Sequence, residues 1–178
     1  HTDTRDILAR ARQQADQRNF DDVLIVDVDS HHTESESWRQ IIEYVDDEVV
    51  RAQAIDYMQN RTGNPPYGLN GDLGLRYQDV GGRVPHQSAR REMVEKDGPH
   101  RDLILAKRAY ESLSIDKQVI FATPLLFLGM HPQFELEALL GNAYNRWTVD
   151  TILAADDKLN NIQFFPINKN KKTMKTIE

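Results

Sequence analysis

The segment Asp27-Val28-Asp29-Ser30-His31-His32 concentrates the best candidates for chemistry in this chain. Side chains alternate along an extended strand, so Asp27, Asp29 and His31 fall on one side and Val28 and Ser30 on the other. A carboxylate and an imidazole two residues apart can then reach one divalent metal together, which makes Asp29 and His31 the candidate ligand pair. Polar groups at the end of a buried strand are costly unless they are paired or coordinated. The plainer alternative is a pair of strand-end acids bonding nearby backbone, with His31 facing water. His32 points to the opposite face of an ideal strand and ranks behind His31. Glu34, just past the strand, is a candidate to orient a ligand or touch substrate, and equally a plain acid at a helix N-terminus. His86, inside a long irregular segment, and His131, in the Gly129-Met130-His131-Pro132 loop, are further candidate substrate contacts. His100 sits at a helix start and is expected to face solvent. The chain has no cysteine, which excludes disulfides, thiolate nucleophiles and Cys-held zinc. A metal must therefore be held by His, Asp or Glu, a donor set that suits zinc, manganese, iron or cobalt.

The elements that position these residues follow from hydrophobic period. Residues 4–19 read as a polar surface helix. Val23, Leu24, Ile25 and Val26 form a continuous apolar run, the mark of a strand buried on both faces of a parallel sheet, and predict a first strand over 23–29. Helical spacing returns over 35–60, with Trp38, Ile41, Ile42, Val45, Val49 and Ala52 on one broad face. Between residues 61 and 98 the glycines and prolines break every period. Such a segment is expected as a lid over the site or an arm reaching a neighbouring subunit of a homo-oligomer. Pro99 opens a helix that runs through Leu113. A second strand is predicted over 118–123, a long helix over 133–155 with Phe134, Tyr144 and Trp147 in the core, and a third strand over 161–166. The final NKNKKTMKTIE reads as the start of another helix. Strands alternating with helices mean parallel β–α units, here within a single α/β domain over 1–178, and the site of such folds lies at the C-terminal ends of the strands.

Composition bounds the partners. With 39% apolar residues among 178, a core can form. The net charge of −6 argues against a nucleic-acid binder, which needs basic surface to meet phosphates. Lys169, Lys171, Lys172 and Lys175 read as a solvated helix face. No apolar run approaches the ~18 residues of a membrane span, and the first residues lack the apolar core of a secretory signal. The expectation is a cytoplasmic protein whose partner is a small-molecule substrate, with no membrane and no nucleic acid.

IVDVDSHHTESESW resembles the opening of the amidohydrolase-related family of metal-dependent hydrolases and decarboxylases, the group that includes the aminocarboxymuconate-semialdehyde and γ-resorcylate-type decarboxylases. Members begin with a strand carrying an acid-x-His or His-x-His pair, often followed by Glu and Trp; those positions are Asp29, His31, Glu34 and Trp38 here. SLSIDKQVIFATPLLFLGM resembles the second strand of the family, with Ser114-Ile115-Asp116 where a Gly-Ile-Asp is usual. ELEALLGNAYNRWTVDTILAADDKLNNIQFFPI resembles its long helix, with Tyr144, Asn145 and Trp147 on a Tyr-Asn-x-Trp signature, then a third strand ending in Pro. The three segments cover roughly half the chain, in the order of the family.

The resemblance implies a distorted (β/α)8 TIM barrel with one divalent metal, zinc foremost, and puts Asp29 and His31 on the first-strand ligand positions. Further ligands and the general base would come from strands beyond Glu178. Such a barrel takes ~250 residues, so the chain is expected to be the N-terminal part, the first three β–α units. The implied reaction is hydrolysis, a metal-activated water attacking a small organic substrate. The alternative on the same fold is non-oxidative decarboxylation of an aromatic or unsaturated carboxylic acid. VLIVDVDSHHT also resembles the first motif of haloacid-dehalogenase-type phosphatases, where Asp27 would be nucleophile and Asp29 acid/base with magnesium. It departs from them at Ser30-His31, where Gly-Thr is usual, and Asp156-Asp157 lies at a helix end rather than after an apolar strand. A non-catalytic interaction fragment is the remaining reading.

Overall fold

A computed structural model of the chain describes residues 4–32, 34–60, 94–95, 97–130 and 134–166. Most of the expected lid, including His86, lies outside the described residues, as do His131 and the expected last helix. The elements are α1 (Thr4–Gln17), β1 (Val26–His32), α2 (Trp38–Glu43), α3 (Glu48–Asn60), α4 (Arg101–Leu113), β2 (Lys117–Ala122), α5 (Phe134–Thr151) and β3 (Leu159–Asn161). The strands form one parallel sheet in the order β1-β2-β3, so the mixed α/β architecture expected from the alternation is present. The chain divides into two compact units, each assembled from three separated stretches of sequence.

The first unit draws on residues 1–32, 87–121 and 150–162 and holds the sheet. β1 starts later than the apolar run suggests. Val23 and Leu24 precede it and are 56% and 77% exposed. Two features set that start. Asn19, in the left-handed region at φ 54°, leads into the 3-10 turn Phe20–Asp22. Asp116 then fastens Ile25 from both sides, its N–H donating to the Ile25 carbonyl at 2.9 Å and its Oδ2 accepting from Ile25 N at 2.8 Å. The expectation of a strand buried on both faces fails: Val26 and Val28 are exposed, and β1 lies at an edge of the sheet among the described residues. β3 pairs with β2 in register Gln118↔Leu159 and Ile120↔Asn161, and Ile162 N donates to the Ile120 carbonyl at 3.1 Å just beyond its end. It therefore sits earlier than the Phe164-Phe165 run implies.

α1 packs against α4. Arg12 ties the two, donating to Ser114 Oγ at 2.8 Å and the Glu111 carbonyl at 3.2 Å while also meeting Asp21 at 2.8 Å. Ser114 ends α4 in the left-handed region, φ 55°, the place where a helix usually turns on glycine.

The second unit draws on residues 33–86, 122–149 and 163–178. The helix expected over 35–60 is broken. A 3-10 turn, Glu34–Ser37, leads into α2, and α3 starts afresh after Asp47, whose Oδ1 accepts from Val49 N at 3.0 Å and Val50 N at 2.9 Å. That is an N-cap, which satisfies donors a new helix leaves open. The break shifts the helical phase. Trp38, Ile41, Ile42 and Val45 are buried as expected, whereas Val49 and Ala52 are exposed and Ala54 is buried instead. α5 buries Leu136, Leu140, Ala143, Tyr144 and Trp147, with Phe134 half-exposed at its start rather than in the core. Asn145 grips the backbone of Phe164 at both ends, accepting from its N–H at 2.7 Å and donating to its carbonyl at 2.8 Å. Among the described residues, no helix is long and apolar enough to cross a membrane.

Candidate functional site

The last turn of the pleat in β1 carries two different arrangements on its two faces. On the open face, Asp29 and His31 converge, with His31 Nε2 3.2 Å from Asp29 Oδ1. The Asp29 side chain is 81% exposed and that of His31 31%. His31 is backed by a ring, stacking on Phe121 of β2 with centroids 5.6 Å apart and planes 28° from parallel. Aromatic support of this kind limits the rotamers of an otherwise open imidazole.

Asp27 does a different job from its neighbours. Its Oδ1 accepts from Asp29 N at 3.0 Å, and its Oδ2 takes a hydrogen bond from Ser30 Oγ. Gln118 Nε2 donates to the same Ser30 oxygen at 2.7 Å, so the Ser30 hydroxyl hydrogen is directed to Asp27. The alternation thus holds for Asp29 and His31, while the Asp27 carboxylate folds back onto the strand and sets the backbone that presents Asp29. Asp27 is a local backbone acceptor in this arrangement.

On the other face, His32 is turned inward, its side chain 8% exposed, with Nδ1 3.0 Å from Asp102 Oδ2. The Asp102 side chain is 4% exposed and belongs to the first turn of α4. His100 caps that helix, its Nδ1 accepting from Asp102 N at 3.2 Å, and lies 4.0 Å from Asp102 Oδ2. Arg101 approaches the second carboxylate oxygen at 3.8 Å. Carboxylates at a helix N-terminus are stabilised by its open N–H groups. His100 is mostly buried, against the expectation that it faces solvent, because its ring closes the helix end. Burial is the main cause that lowers its pKa, reinforced by His32 and Arg101 and opposed by Asp102.

Glu34, in the second unit, is fully buried. Its Oε2 accepts from Thr123 N at 2.8 Å and its Oε1 from Leu125 N at 2.5 Å. It therefore ties the segment after β1 to the segment after β2, at the start of the 3-10 turn Pro124–Met130.

Spacing alone brings Asp29 and His31 together. It does not find Asp102, which is 70 residues from His32; the only local signal is an acid two positions after a histidine at a helix start. Among the described residues, no group of three or more His, Cys, Asp or Glu side chains is arranged to hold a metal. No protein-family model, curated protein or solved structure matches the chain.

Proposed function

We propose that the chain forms the first three β–α units of a metal-dependent hydrolase of the amidohydrolase type, with Asp29 and His31 contributing two ligands to one divalent ion. The observation that carries the reading is their separation. Two ligand atoms about 2.0–2.1 Å from a tetrahedral zinc lie about 3.3 Å apart, and Asp29 Oδ1 and His31 Nε2 are 3.2 Å apart. Oxygen and imidazole donors also suit the metal class. Two residues are an incomplete set, so the remaining ligands belong to segments other than those described.

Two further features support the barrel. Three parallel strands in chain order are what successive β–α–β units produce. The left-handed Ser114 occupies the position of the family glycine, so the Ser-Ile-Asp correspondence has a backbone cause. A divalent ion held there would supply Lewis acidity toward a substrate oxygen. The residues of the chain then have separate tasks: Asp27 sets the backbone at Asp29, Phe121 backs the His31 ring, and Glu34 ties down the segments that follow β1 and β2.

Zinc content after equilibrium dialysis tests the reading. A longer polypeptide that carries the further strands is expected to retain about one zinc per chain, and Asp29→Ala and His31→Ala in it each to weaken retention at least tenfold. A longer polypeptide that retains no zinc, or variants that retain it equally well, would sink the assignment.

A further inference from the structure

Gln118, the second residue of β2, is a buried amide at 5% exposure, and its Oε1 has no hydrogen-bond partner among the described residues. Burying an amide costs free energy unless its polar atoms are matched, so packing alone does not account for a glutamine there. Its other end is engaged. Nε2 donates to Ser30 Oγ at 2.7 Å, reaching from β2 to β1. With its oxygen taken by that donor, the Ser30 hydroxyl gives its own hydrogen to Asp27 Oδ2. The other oxygen of the same carboxylate, Oδ1, accepts from Asp29 N at 3.0 Å. The hydrogen bonds thus connect the buried face of β2 to the main chain of the proposed ligand, and bonds linked in this way support one another.

We infer that Gln118 and Ser30 are positioning residues for Asp29, acting through the Asp27 carboxylate and touching neither metal nor substrate. The inference rests on the reading that Asp29 is a metal ligand. The two proposed ligands are held differently. His31 stacks on Phe121, whereas the Asp29 side chain is 81% exposed, so burial does not fix its place. Its placement depends on the backbone that carries it, and Asp27 Oδ1 holds the N–H of that backbone. A carboxylate turns freely about its last bond unless one oxygen is engaged. Ser30 engages Oδ2, and Gln118 keeps the Ser30 hydroxyl pointed that way. Residues behind metal ligands set affinity by fixing the orientation of the ligands.

The test combines zinc retention by the longer polypeptide with 1H–15N spectra of the 178-residue chain. Gln118→Met, which keeps the length of the side chain without the amide, and Ser30→Ala are each expected to weaken zinc retention about tenfold. Both are expected to move the Asp29 amide proton upfield, as its acceptor is released. Ser30→Thr, which keeps the hydroxyl, is expected to retain zinc and to leave that proton in place. The Ile162 amide, which donates to the Ile120 carbonyl at 3.1 Å, reports the sheet itself and is expected to stay unchanged in all three. The double variant Gln118→Met with Ser30→Ala is expected to be no weaker than Ser30→Ala alone, because Gln118 acts only through Ser30. Losses that multiply in the double variant overturn the proposal, as does a Ser30→Thr that loses zinc like Ser30→Ala. An Asp29 amide that ignores Ser30→Ala, or an Ile162 amide that moves with it, overturns it too, the latter because Gln118 would then only be holding the sheet. If the wild-type polypeptide retains no zinc, the metal reading falls, and the Asp29 amide, which needs no metal, still decides whether Gln118 and Ser30 position Asp29.

Discussion

Replacing Glu34 tests how the segments after β1 and β2 are held. Its carboxylate is fully buried and accepts two backbone N–H groups, from Thr123 and Leu125. Hydrogen bonds to a charged group stabilise by about 1.5–3 kcal/mol each, and a buried donor left without a partner costs about 1–3 kcal/mol. Glu34→Gln keeps one oxygen acceptor but sets an N–H₂ against the other N–H, so the expected loss is about 2–4 kcal/mol. Glu34→Ala removes both acceptors and leaves a cavity, so it should lose more. Both tryptophans of the chain, Trp38 and Trp147, lie in the same unit as Glu34, which makes intrinsic fluorescence during urea unfolding the appropriate assay. At a slope of about 2 kcal/mol per molar urea, a 3 kcal/mol loss lowers the midpoint by about 1.5 M. A Glu34→Gln midpoint within about 0.2 M of wild type would refute the reasoning, and would free Glu34 for the substrate role its position after the first strand suggests.

Three further outcomes follow from single contacts. Gly141→Ala, which in an ordinary helix gains about 1 kcal/mol, should instead lose about 1–3 kcal/mol, because a β-carbon there overlaps the Phe164 ring; adding Phe164→Leu should recover most of the loss in the same urea assay. Tyr110 has its pKa raised, first by burial and then by its bond to Asp156, so Tyr110→Phe should remove a late-ionising component from an alkaline absorbance titration. Its contribution to stability is present below about pH 10 and lost above it, and Tyr110→Phe should flatten that limb. His100 has a lowered pKa, so its contribution is present above the ordinary imidazole value of about 6.5 and lost as pH falls from there toward the folded value. His100→Asn, which can still cap α4, should remove that part of the acid dependence, with Asp102, His32 and Arg101 the titratable and charged groups facing the change.

The parts of the fold that periodicity made legible are those where one element packs by itself. β2, α4 and most of α5 lie where their apolar residues predict, and the convergence of Asp29 with His31 follows from a two-residue spacing. The two strand errors have a common cause, which is the influence of distant residues on local pattern. An apolar run drew β1 too early, because Asp116, far along the chain, decides where pairing starts. Phe164 and Phe165 drew β3 too late, because Asn145 holds Phe164 outside the strand. The break between α2 and α3 was local and readable: Asp47 offers a capping carboxylate, and it outweighed the run of helical spacing on either side.

The end of β1 places two chemistries on adjacent residues, and this makes strand register the controlling variable. A slip of one residue sends every side chain of a strand to the other face. It would carry Asp29 and His31 together to the inward face and turn His32 out, breaking its contact with Asp102. Losing one member of a buried pair costs several kcal/mol, so the slipped arrangement is penalised by the inward pair even though the outward pair, open to water, contributes little by itself. The anchors that set the register are themselves polar: Asp116 on both backbone groups of Ile25 at the start of the strand, and Gln118 on Ser30 near its end. An edge strand with exposed valines has little hydrophobic reason to prefer one register. The placement of Asp29 and His31 on the open face therefore depends on hydrogen bonds made by Asp116, Gln118 and Asp102.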